Sequence, residues 1–387
     1  MRGHLRRRGS AWELRAYAGR DPVTGWDVYR TRSFKGGRRD AEDALAKFVQ
    51  EVAGSHSTRD ATVGDLVDKW FELAKQDLSP STVVGYTACI RRYVTPALGD
   101  VPLDRLKVAQ LDHLYAELRS GGGQARRPLA TATVRQVHAI VRRALQQGVK
   151  WGWLDTNPAV LATPPRVRNR VIEPAQPVDV VRLIVDAKEQ DPDLGTFLHM
   201  AATTGARRGE LCGLHWDAVD LETGTMTVAR SVVDGPHGEL IEKDTKTHSV
   251  RRVALDPSSV EELLAHRERC TARLKLCSAD MDPSAYVFSR TVDGSKPWPP
   301  NDVTHAFIQL RDRLGLRTVR LHDLRHFAAT RLLGAGIPVR TVSGRLGHAN
   351  AATTLGVYAH FLAESDREAA NTLGELLNLS DASREAS

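Results

Sequence analysis

Six side chains in the C-terminal half have types and an order that suit chemistry on an oxyanion. They are Arg207 in Thr204-Gly-Ala-Arg-Arg-Gly-Glu210, Lys246 in Asp244-Thr-Lys-Thr247, His322-Asp-Leu-Arg325, His348 after Leu346-Gly, and Tyr358 in Thr353-Thr-Leu-Gly-Val-Tyr-Ala-His360. Arg207 and Arg325 stay protonated at any physiological pH, and each guanidinium fork can hold non-bridging oxygens two at a time. His322 and Arg325 stand three apart, so they share a face of a helix that opens near Leu321. His348, between a glycine and the Ala349-Asn350 turn, would donate from the other side. A phenol with a pKa of ~10 needs a cationic pocket before it attacks anything, and this set would supply one to Tyr358. Lys246 is the candidate general acid for a departing oxygen, with Lys243 as the alternative. Glu210, about one turn past Arg207, would orient that guanidinium and balance its charge. No carboxylate cluster accompanies these residues, and His322 with His326 lacks a third ligand, so neither metal nor cofactor is expected.

Taken singly, each motif has a duller reading. Thr-Gly-x-Arg followed by Glu is an ordinary helix start with an ion pair, and most tyrosines are packed rather than nucleophilic. H-x-x-R is weak as well: 14 His and 43 Arg in 387 residues leave one or two such pairs to chance, and the chain holds five. The order Arg, Lys, His-x-x-Arg, Gly-His, Tyr is what carries weight. In it the chain resembles the tyrosine recombinase (phage integrase) family.

The resemblance implies site-specific DNA recombination. Tyr358 would attack the scissile phosphate, form a 3′-phosphotyrosyl bond and release a 5′-hydroxyl, conserving the bond energy for rejoining. It also implies double-stranded DNA attachment sites as substrate, a homo-tetramer on two duplexes as the working form, and integration of a phage or mobile element. An excision factor or a DNA-bending host protein would be further partners. Two competing readings share part of these features: a type IB topoisomerase, which shares the tyrosine chemistry, and a catalytically inactive DNA-binding regulator.

The elements that must position these residues read as a multidomain, mainly α chain with small β parts. Residues 1–39 hold eleven of the basic side chains against three acidic ones, more than the net charge of +7 of the whole chain, which points to a polyanion. Trp12 to Tyr17 and Trp26 to Arg30 alternate as strands around Asp21-Pro-Val-Thr-Gly25, a third strand is expected after them, and Asp40 is read as capping a helix with Ala41, Ala44, Leu45, Phe48, Val49 and Val52 on one stripe. This sheet-plus-helix unit, 1–56, is similar to the family's arm-type DNA-binding module. Residues 60–157 carry four helical patterns, the second opening at Ser79-Pro80 and the fourth ending near Gly148, and look like the SAM-like core-binding domain. Five prolines between 158 and 177 mark a linker, and 178–387 is read as a mixed α/β catalytic domain with a tail from about 362. The three parts are expected to clamp duplex DNA.

Basic positions outside the catalytic set are weaker candidates for DNA contact. Alternation leaves Arg15, Arg30 and Arg32 on sheet faces of the first module without saying which face meets DNA. Arg91, Arg92, Arg142 and Arg143 lie on helices of the second, where phosphate contact and an ordinary charged face are equal readings. After His360, six acids face Arg367 and Arg384, and Leu373, Leu376, Leu377 and Leu379 suggest a tail that docks on protein, in trans by resemblance. No uncharged apolar run approaches the ~18 residues of a membrane span. Cys89, Cys212, Cys270 and Cys277 form no C-x-x-C pair, and MRGHLRRRGS leads into no signal core, so a cytoplasmic location is expected.

Overall fold

The computed structural model describes residues 3–20, 27–54, 61–121, 127–166, 174–244, 250–347 and 370–375. Two compact units divide the chain, residues 1–169 and 170–387.

The first unit begins with an antiparallel sheet in the order β1 (Gly3–Arg8), β2 (Ala11–Arg20) and β3 (Asp27–Phe34). The third strand therefore precedes the other two instead of following them. The basic run Arg6-Arg7-Arg8 is an edge strand paired to β2 rather than a solvated tail, with Arg6 opposite Glu13 and Arg8 Nε 2.9 Å from the Glu13 carboxylate. A charged edge suits its position, because charge on an unpaired edge discourages further strands from adding there. Register puts Leu5, Leu14 and Arg32 on one face, and His4, Arg15 and Thr31 on the other. Helix α1 (Arg38–Gly54) covers the first face, where Leu14, Ala16 and Phe48 are buried among Leu5, Trp12, Phe34, Ala44, Leu45 and Val49. Asp40 is the third helical residue, not the cap itself; its carboxylate reaches back to accept the Gly37 N–H at 3.2 Å.

The helical part of this unit follows the sequence periodicity closely. Helix α2 (Val63–Ala74) opens with a capping box between Thr62 and Asp65 and buries Val63, Leu66, Val67, Trp70 and Phe71. Ser79 and Pro80 start α3 (Pro80–Cys89), which runs through a π turn at Ile90–Val94 into α4 (Thr95–Leu98). Helices α5 (Val108–Ser120) and α6 (Thr131–Lys150) bury Leu111, Leu114, Tyr115 and Leu118 against Val134, Val137, Val141 and Leu145. Gly148 does not end α6. It is a point of close approach, where an added Cβ would meet Leu66 Cδ2 at 2.7 Å, and the helix stops before Gly152, whose φ of +73° is left-handed. Residues 158–166 lie against these helices, with Ala159 and Ala162 in the core.

The second unit is built on α7 (Pro177–Gln190) and α8 (Pro192–Thr204), followed by the short α9 (Arg208–Cys212). Strands β4 (Val219–Asp220), β5 (Thr225–Val228) and β8 (Arg251–Ala254) form one antiparallel sheet, and β6 (Arg230–Asp234) with β7 (Leu240–Asp244) forms a separate hairpin. Helices α10 (Pro257–Leu276), α11 (Pro300–Arg313), α12 (Asp323–Gly334) and α13 (Val339–Leu346) complete it. Phe197 on α8 sits at the centre of the core, edge-on to Phe288 and Trp298 at 5.0 and 6.0 Å between ring centroids. At the start of α8, buried Asp193 draws in three α10 side chains: His266 at 3.1 Å, Arg269 at 3.3 Å and Arg273 at 2.6 Å. This clamp fixes α8, whose far end leads straight to Arg207.

Candidate active site

Helix α8 ends at Gly205 with φ +66°, a conformation that a side chain would strain, and the chain turns there so that Arg207 becomes the N-cap of α9. Three residues on, Glu210 reaches back to close that cap: its Oε2 accepts the Arg207 backbone N–H at 2.8 Å while its Oε1 takes Arg207 Nη1 at 2.7 Å. Arg207 Nη2 donates to the Gly347 carbonyl at 3.2 Å, and the side chain keeps 29 % of its surface exposed. Glu210 itself is 3 % exposed. Burial pushes its carboxyl pKa up, but Arg251 and Arg207 outweigh burial and hold it below the usual range.

Arg325 comes to the same loop from α12. It is buried, and its Nη1 donates to the Gly205 carbonyl at 2.6 Å, so the two arginines converge on either side of Ala206. His322 is the N-cap residue of α12, one turn before Arg325, as the spacing requires. Lost solvation pushes the His322 pKa down to about 4, helped by the charges of His326, Arg325 and Arg207 and opposed by Asp323. This shift favours the neutral ring, and the His322 side chain is exposed. His326 stands edge-on to it at 4.9 Å, and Arg208 is spent on α11, donating to Thr304 Oγ1 at 2.5 Å. A cavity of about 370 Å³ opens beside this group, with Ala206, Arg208, Phe307, Arg320, His322 and Arg325 in its lining.

Arg207, Glu210, His322 and Arg325 are thus brought together from two elements, α9 and α12. Lys246, His348 and Tyr358 lie outside the described residues. Lys243 lies on β7 opposite Ser231. Its neighbour Glu242 anchors that strand, accepting from Tyr286 Oη at 2.6 Å and lying 2.9 Å from His215 Nε2, four residues before Lys246 in the sequence. Among the described residues, no group of three His, Cys, Asp or Glu side chains could hold a metal ion.

One residue of the cluster was not picked out by the sequence reading. Arg251 on β8 is 9 % exposed and holds both Glu210 oxygens, Nη1 at 3.1 Å from Oε1 and Nη2 at 2.6 Å from Oε2. Its signal was present in the strand alternation: Arg251 is in phase with buried Val253, and an arginine at an inward position must have a carboxylate waiting.

The other basic candidates fall on different surfaces. Arg15 is exposed on the sheet face away from α1, its guanidinium 4.0 Å from the Tyr29 ring centroid. Arg30 and Arg32 belong to the α1 side of the register, Arg32 over the Phe48 ring at 4.4 Å. Arg91 and Arg92 are exposed on the π turn, while Arg142 and Arg143 are exposed on α6, Arg143 donating to Tyr86 Oη at 2.5 Å. Among the described residues, no helix is long and apolar enough to cross a membrane.

Two family profiles match the chain: the phage integrase family over residues 176–365, and the SAM-like N-terminal domain of phage integrases over residues 62–119. A tyrosine recombinase XerC-like protein of Caldanaerobacter subterraneus is 28 % identical over 365 residues, 88 % of this chain and 90 % of that protein. Among solved structures, the Tn1549 transposon integrase in complex with a circular intermediate DNA aligns at a TM-score of 0.68 and 19 % identity, covering 81 % of this chain and 99 % of that one. A lambda integrase tetramer bound to a Holliday junction aligns at 0.54 and 18 %, covering 89 % and 95 %.

Proposed function

Since the chain belongs to the phage integrase family of tyrosine recombinases, we propose that it is a site-specific DNA recombinase that integrates a phage or mobile element. The observation that carries the reading is the convergence of Arg207 and Arg325 on one loop, with His322 beside Arg325 at the start of α12. Transfer of a phosphoryl group to a side-chain oxygen builds charge on the non-bridging oxygens, and fixed guanidinium donors meet that charge without reorganising.

In the proposed reaction Tyr358 attacks the scissile phosphorus, its phenolic proton passing to the lone pair of the His322 ring. The phosphorus–O5′ bond breaks as the 3′-phosphotyrosyl bond forms. Lys246 protonates the departing 5′-oxygen, with Lys243 as the alternative donor, and His348 adds a donor to the phosphate. Rejoining reverses these transfers with a 5′-hydroxyl from a second duplex. The three-stranded sheet module would bind arm-type sites, the helical domain with Arg91, Arg92, Arg142 and Arg143 the core site, and a homo-tetramer would hold two duplexes. An excision factor or a DNA-bending host protein would act through the arm-type sites.

The test is incubation with a nicked suicide duplex of the cognate site in chelator. A covalent protein–DNA adduct is expected, and it should vanish in Tyr358→Phe. No adduct, or an adduct that survives the substitution, overturns the proposal.

A further inference from the structure

We infer that Arg251 is a positioning residue for strand transfer: by sharing Glu210 it keeps the Arg207 guanidinium oriented and available to the scissile phosphate. The inference rests on the reading of Arg207 as a phosphate ligand.

The argument starts from charge. Glu210 is buried and touches two guanidinium groups, so the trio carries a net positive charge. The two arginines are not equivalent. Arg251 has 8 % of its side chain exposed and spends its fork on both carboxylate oxygens, whereas Arg207 has 29 % exposed and takes one oxygen through Nη1. Arg251 thus supplies the counter-charge that Glu210 needs inside the protein. Without it, the whole carboxylate would turn to Arg207 and compete with the phosphate for that guanidinium.

Connectivity gives the second part. Arg251 Nε donates to the Arg345 carbonyl at 2.9 Å, at the end of α13, and Arg207 Nη2 meets the Gly347 carbonyl at 3.2 Å. A closed ring of contacts therefore joins α9, β8 and the end of α13. The chain next to β8 is the segment that holds Lys246, and the residue after Gly347 is His348. Arg251 therefore ties Glu210 to β8 and to the end of α13, the elements that precede or follow Lys246 and His348 in the sequence. A lysine at this position keeps the charge but lacks the fork and the third donor direction.

Single-turnover cleavage of two suicide duplexes tests this, one with the natural scissile phosphate and one with a methylphosphonate, whose missing non-bridging charge removes the need for Arg207. Arg207→Ala should be slow on the phosphate and recover on the methylphosphonate. Arg251→Gln should lose about 10- to 100-fold on the phosphate with DNA affinity unchanged, and recover likewise. Arg251→Lys should regain part of the phosphate rate. The double variant E210Q/R251Q, which leaves no buried charge unpaired, gives the same readout should the single one not fold, and it too should recover on the methylphosphonate. Loss by the same factor on both duplexes makes Arg251 merely structural and overturns the inference. Failure of Arg207→Ala to recover instead overturns the reading of Arg207, and the inference with it.

Discussion

At the scale of single residues, the site separates two kinds of cation. Arg207 and Arg325 are pinned by backbone carbonyls and carboxylate, so their charges are fixed before substrate arrives, which is what electrostatic stabilisation of a developing oxyanion requires. Replacing buried Arg325 by Lys keeps the charge but loses the planar fork, and cleavage in a single-turnover assay should fall by roughly 10²-fold. His322 behaves differently because lost solvation and neighbouring cations lower its pKa. With its pKa pushed down to about 4, the acid limb of the cleavage pH profile should fall nearer pH 4 than 6.5. A limb at 6.5 that disappears in His322→Asn would contradict that. The same depression makes the folded state hold fewer protons than the unfolded one, so His322 costs stability as pH drops from about 6.5 towards 4.

At the scale of elements, the device that matters most is the clamp between α8 and α10. Burial alone would lower the His266 pKa, but its bond to Asp193 wins and raises it to about 9. A raised histidine stabilises the fold fully below about 6.5 and loses that contribution as pH rises through 9. The melting temperature should therefore decline between those values, and His266→Gln should flatten the decline while lowering the plateau. Removing Asp193 strands the buried His266 cation and unpairs the more exposed Arg269 and Arg273, and Asp193→Ala should cost about 3–5 kcal/mol in urea unfolding. On α6, Gly148→Ala forces a Cβ against Leu66, and a loss of about 1–3 kcal/mol is expected in the same experiment.

For the whole molecule, affinity and chemistry are expected to separate. Phosphate contacts from exposed arginines would set the salt dependence: each of Arg91→Ala and Arg142→Ala should lower the slope of log affinity against log salt by about 1 without changing sequence preference. Arg15→Ala, on the open sheet face, should weaken arm-type sites and leave cleavage of a core-site suicide duplex intact; equal loss on both would place Arg15 elsewhere. Truncation at Asp366 should weaken assembly or the cooperativity of cleavage, and undiminished tetramer formation on DNA would count against a tail exchanged in trans.

The sequence by itself determined the chemistry and most of the elements. Residue types at the motifs dictate what reaction is accessible, and helix stripes such as Leu66, Trp70 and Phe71 reappear as buried faces because a 3.6-residue period can bury itself in one way only. Tertiary structure decided what local rules leave open. Which strand became the edge of the first sheet depended on pairing, since Gly3–Arg8 has little strand signal until Ala11–Arg20 offers it a partner. Gly148 reads as a stop until Leu66 is seen against it. Arg251 is one basic residue among many along the chain, and it becomes part of the site because burial forces its charge to find Glu210, 41 positions away.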